Sequence, residues 1–158
     1  MLRELFDMAE GILGELHKDH EEVSGLIEDL LHAKTGEKRG LLFKEIASKL
    51  LAHAHAEQDV LYRAMKKSND ERARIFAYEG DNEHQIVEQQ LEHLLRARNK
   101  ASERWTAQAT VLRDLIDHHV KEEEDEGFSC ARREFDAPAL EKLGEQFRRQ
   151  KEKLLTEA

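Results

Sequence analysis

The sequence has a single cysteine, Cys130. One thiol cannot close an internal disulfide and is too little for a thiolate zinc site, which fits a reducing compartment. There is one proline, Pro138, and glycine is sparse at eight in 158 residues, so little interrupts helices. Segments alternating with period two are few, which removes the main signal for strands. No apolar run approaches the roughly 20 residues that a membrane span needs. The opening "MLRELFDMAEGIL" carries acids early and has no unbroken apolar core, so no signal peptide is read there. Positive charge is also short: 25 Lys and Arg face 34 Asp and Glu, for a formal charge of −9. That balance argues against nucleic acid and against an anionic membrane surface as partners. No flavin or nicotinamide motif is visible. A cytoplasmic protein is expected.

What is present is helical composition, with Glu, Lys, Leu, Ala and Arg dominant. Punctuation divides it. "HAKTGEKRG" and "KKSND" read as loops, Ser68 or Asp70 can cap the helix that follows, and Ser102 can cap another. "EGFSCARREFDAPA" ends a further helix, and Asp136 followed by Pro138 can start the last one. The predicted long helices cover about 10–33, 38–66, 70–99 and 103–126, preceded by a short N-terminal helical segment. The expected fold is all-α: an up-down-up-down four-helix bundle over 1–130 with an additional C-terminal helical extension over 131–158. That last helix carries Leu140, Leu143, Phe147, Leu154 and Leu155 on its apolar side. It is expected to pack across the bundle, with homo-oligomer formation as the alternative.

The apolar stripes are interrupted in a regular way. His20 falls between Leu16 and Val23 on the first stripe, and His53 and Glu57 lie between Leu50 and Leu61 on the second. The third stripe, Val87 and Leu91, runs back through His84, and the fourth, Leu112 and Ile116, runs on to His119 and Glu123. One inward histidine is an ordinary core residue satisfied by a carbonyl. One on each of four helices, with two unpaired inward carboxylates, is not, because a buried carboxylate must be paired or bind a cation. The chain also repeats: "HAHAEQDVLY" from His53 matches "HVKEEEDEGF" from His119, both running His-x3-Glu to an aromatic residue, Tyr62 or Phe128. Each half thus offers one histidine from its first helix and a His-x3-Glu from its second. Six nitrogen and oxygen ligands exceed what zinc uses and suit two carboxylate-bridged ions, with iron first and manganese next.

"KDHEEVSGLI", "HAHAEQDVLY", "EHQIVEQQLEHL" and "HHVKEEEDEGF" together resemble the four helix signatures of hemerythrin-like, or HHE cation-binding, domains. The resemblance covers about residues 10 to 128. It implies a non-haem centre of two iron ions, carboxylate- and oxo- or hydroxo-bridged. It implies His20, His53, His84 and His119 as terminal ligands and Glu57 and Glu123 as bridges. Many members carry a further histidine one turn after the third-helix ligand; here that position is Glu88, either a seventh ligand or a solvated or hydrogen-bonding residue. The proline that often follows the aromatic of His-x3-Glu is missing from both copies. His17 is a rival to His20, while His32, His55, His93 and His118 read as bystanders. The implied function is binding of dioxygen or a related small molecule (nitric oxide, peroxide), or holding iron. An enzyme consuming peroxide or nitric oxide is the alternative.

Overall fold

The computed structural model describes residues 11–157. Most of the short N-terminal segment expected to be helical lies outside them. Every regular element among the described residues is helical. Helix α1 spans Ile12–His32 and α2 spans Gly36–Glu57. α2 continues without a break through a π-helical turn, Gln58–Tyr62, into the short α3, Arg63–Met65. α4 covers Glu71–Arg96 and α5 covers Glu103–Glu122. α5 runs through a second π-helical turn, Glu123–Gly127, into α6, Phe128–Glu134. The chain closes with α7, Ala137–Glu157.

The caps follow the side chains available. Asp70 accepts from the Arg72 amide, Ser102 from the Trp105 amide, and Asp136 from the Ala139 amide. Thr35 accepts from the Lys38 amide and starts α2 at Gly36, two residues before the expected start at about 38. The helix carrying His119 also outruns its expected end at 126. Gly127 does not break it, because the residue sits at the end of the π turn with ordinary helical φ and ψ.

α1, α2, α4 and α5 each contact the next in chain order, and α5 closes on α1. α7 lies against α1, α2 and the first π turn. Its docking depends on Gly11, at φ 52 the one described residue with positive φ, and on Gly144, where a Cβ would stand 2.9 Å from the Ile12 nitrogen. The apolar interior falls into two clusters. One joins Leu16, Leu61, Tyr62, Phe76, Phe128, Leu140 and Phe147; the other joins Val23, Ile27, Phe43, Leu91, Trp105 and Leu112. At the far end of the second cluster, buried Arg39 donates to the Ala33 and Lys100 carbonyls and the Thr106 hydroxyl, tying the two connections there. The polar side chains that interrupt the four stripes lie between the two clusters.

Candidate metal centre

Six of the seven residues singled out in the sequence converge. His20, His53 and Glu123 form one buried group whose ligand atoms lie within 4.8 Å of one another, and Glu57, His84 and His119 form a second. Each group takes its two histidines from one half of the chain and its carboxylate from the other. Glu123 Oε1 is 3.2 Å from His20 Nε2 while its Oε2 is 3.6 Å from His119 Nε2. Glu57 Oε1 is 3.1 Å from His84 Nε2 and 3.8 Å from His53 Nε2. Both carboxylates therefore lie between the groups, placed to bridge. Glu88 is not brought in: it is half-exposed and pairs with His55, 3.2 Å away. His17 turns to Glu124 at 3.0 Å rather than to the centre, and His32, His93 and His118 are exposed.

The outer nitrogen of each inward histidine is held by a different side chain. His53 Nδ1 meets Asp19 at 2.8 Å, His84 Nδ1 meets Gln58 Oε1 at 3.1 Å, His119 Nδ1 meets Glu83 at 3.0 Å, and His20 Nδ1 meets Glu124 at 2.7 Å. All four partners are acceptors, so each Nδ1 donates and each neutral imidazole turns a bare Nε2 lone pair inward. The partners run round the bundle: α1 serves the histidine of α2, the first π turn serves α4, α4 serves α5, and the second π turn serves α1. Sequence reading missed Asp19, Gln58 and Glu83 and offered Glu124 only as a register-shift alternative to Glu123, though each stands beside one of the six inward residues in the chain. Adjacent helical residues differ by about 100° in direction, so the neighbour of an inward ligand faces the adjoining helix.

Several of these atoms lack what a buried polar atom needs. Both oxygens of Glu57, Glu123 Oε1 and His20 Nε2 are buried with no hydrogen bond of good geometry. His84 Nε2 and His119 Nε2 face each other at 3.1 Å, two lone pairs once both Nδ1 atoms donate. Cations placed among them would satisfy every one of these atoms, and all-nitrogen and oxygen donor groups suit a transition metal. Without metal, the two carboxylates are driven apart. Burial and the neighbouring Glu123 charge push Glu57 well above the usual carboxylate range. Burial would also raise Glu123, but His20 and His119 outweigh it and hold it well below that range. Burial opposes charge on His20, yet the Glu123 carboxylate 3.2 Å from its Nε2 and the hydrogen bond to Glu124 push its pKa up to about 9. Burial and the nearby His119 charge drive His84 well below its ordinary value.

The π turns add a residue that α-helical spacing would place elsewhere. Tyr62, five positions after Glu57, is wholly buried, stacks on His84 at 5.3 Å and donates its hydroxyl to Glu123 Oε2 at 2.6 Å. Gly80 makes the room: a Cβ there would sit 2.5 Å from the Tyr62 hydroxyl. Gly80→Ala is expected to cost about 2 kcal/mol by overpacking, read as a lower urea midpoint; an unchanged midpoint would mean the ring has slack. Against all four histidines lies a cavity of about 30 Å³ whose remaining wall is mostly aliphatic, with Val23, Leu50, Leu51, Val87, Leu91 and Ile116, and also includes Asp19 and Glu88. It has room for a molecule of a few heavy atoms.

No helix among the described residues is long and apolar enough to cross a membrane. No solved structure matches the chain. Among curated proteins, a "DNA nickase" from Nostoc sp. (strain PCC 7120 / SAG 25.82 / UTEX 2576) is 28% identical over 143 residues. The alignment takes in 88% of this chain but only 38% of the relative. The profile of the hemerythrin HHE cation binding domain matches residues 11–131, taking in both ligand groups and both π turns, and the chain belongs to that family.

Proposed function

We propose that this chain holds a non-haem di-iron centre and uses it to bind dioxygen or a related small molecule, nitric oxide or peroxide. The carrying observation is the pair of buried His2Glu groups, with four Nε2 atoms and two carboxylates turned on one another. His20 and His53 would hold one ion, His84 and His119 the other, with Glu57 and Glu123 bridging and Glu88 outside the set. The bundle would run up-down-up-down over about residues 1–130, with the remainder an addition to it. Iron held this way supplies reversible one-electron chemistry and an affinity for diatomic ligands. The protein's own part is to fix the imidazoles through their Nδ1 bonds, to keep bulk water out with aliphatic side chains, and to admit only small molecules.

A second reading, turnover of peroxide or nitric oxide, draws on Tyr62, whose buried hydroxyl donates a hydrogen bond to Glu123 at 2.6 Å. Metal analysis with an anaerobic oxygen titration tests both. The first reading expects about two irons per chain, from the two ligand groups, and a visible charge-transfer band that appears with oxygen and reverses on its removal. Rapid gas evolution from peroxide supports the second. Protein from iron-replete cells that holds no iron, or a single zinc, contradicts both.

A further inference from the structure

Helix α7 lies outside the region that matches the family, yet it reaches the centre. Lys151 Nζ donates to Asp19 Oδ1 at 2.8 Å, and Asp19 Oδ2 accepts from His53 Nδ1 at 2.8 Å. One turn earlier, wholly buried Phe147 packs edge-on against the His53 ring, with centroids 5.7 Å apart, and the Lys151 ammonium lies 5.5 Å from the Phe147 centroid. None of the other three histidines has such a chain. Glu124 is shared between His20 and His17, while among the described residues no lysine or arginine is bonded behind Gln58 or Glu83. The pseudo-twofold likeness of the two halves is broken here, at one ligand of one group.

We propose that Lys151 is a positioning residue for the His20–His53–Glu123 ion: by fixing the Asp19 carboxylate it fixes the His53 imidazole, so that the added C-terminal helix makes this ion the tighter held of the two. The inference rests on the metal reading above. Its physical basis is that a carboxylate on the far nitrogen sets both the tautomer and the direction of a ligating imidazole, and loss of such a partner costs about 10–100-fold in metal affinity. Asp19 is itself nearly buried, and without the ammonium one of its oxygens loses its charged donor. The carboxylate can then swing away from His53.

Lys151→Met keeps the aliphatic stem against Phe147 and removes the donor; Lys151→Arg restores a donor. Anaerobic titration of the metal-free full chain with ferrous iron, against a chromophoric chelator, reads two binding steps. In the wild type the steps should separate. Lys151→Met should weaken the tighter one about 10-fold or more and leave the weaker one alone, Lys151→Arg should restore it, and far-UV circular dichroism should be unchanged in both. Two equal steps in the wild type, or wild-type steps in Lys151→Met, overturn the inference while leaving the metal centre standing. A Lys151→Arg protein as weak as Lys151→Met overturns it as well. A wild type that takes up no iron overturns both.

Discussion

Glu123→Ala protein should emerge from iron-replete cells with metal content reduced from about two ions per chain to well under one, and Glu57→Ala should do the same. Each carboxylate stands between the two histidine pairs, so under the proposed two-ion centre removing either would take a ligand from both ions at once. His53→Ala and His119→Ala each remove a ligand from one group only, and each should lose mainly that ion. Glu88→Ala is the contrasting case. Its side chain is half-exposed and bonded to His55, so it should keep both ions. Elemental analysis of the five proteins separates the outcomes. Full metal in His53→Ala and His119→Ala would discard the assigned ligands, and metal loss in Glu88→Ala would restore a seventh.

Removing the metal should cost the fold several kcal/mol, through lost binding free energy and through two carboxylates left buried side by side. A fall in the thermal midpoint of about 10 °C or more is expected on chelation. The metal-free protein should also weaken further as pH rises. His20 has a folded pKa of about 9 against an ordinary 6.5, so the folded state binds more protons across that interval. The stability that this contributes is complete below about 6.5 and is lost as pH climbs toward 9, on the order of 3 kcal/mol. His119 is likewise raised by its hydrogen bond from Nδ1 to Glu83 and by the Glu123 charge, which outweigh burial, and it acts in the same direction. With metal on Nε2 these imidazoles cannot take the extra proton, so the loaded protein should show little slope over this range. Urea midpoints for both forms between pH 6.5 and 9 provide the measurement; a metal-free protein that gains stability with rising pH would contradict this electrostatic picture.

Much of this arrangement could be read along the chain. Helical period places every third or fourth residue on one face, so Leu16–His20–Val23 and Leu112–Ile116–His119–Glu123 declared both the buried stripe and the polar side chains buried within it. The repeated His-x3-Glu showed that the inward polar residues were a set, because burial cost makes such a coincidence expensive to keep. Residues facing sideways carry no such signature. Asp19, Gln58, Glu83 and Glu124 sit among many acids and amides that look alike in sequence, and the residues around Glu123 in "KEEEDE" read most simply as a solvated face. Only the neighbouring helix distinguishes Glu124, bonded to His20, from exposed Asp125.

The π turns were hidden for a related reason. Widening a helix by one residue costs local hydrogen-bond geometry and is repaid by packing elsewhere, here by Tyr62 against Gly80 and by Gly127 against Phe76. Neither Gly80 nor Gly127 announces that contact locally. The same holds for α7. Its amphipathic pattern predicted a helix with a face to bury, expected on its own bundle, but did not by itself exclude docking on a second copy. Periodicity reports the angle of a side chain about its own helix axis, and that was enough to pick out the inward histidines and carboxylates. Which helix stands opposite is set by long-range packing, and it is this that places Lys151 behind Asp19 and Phe147 against His53.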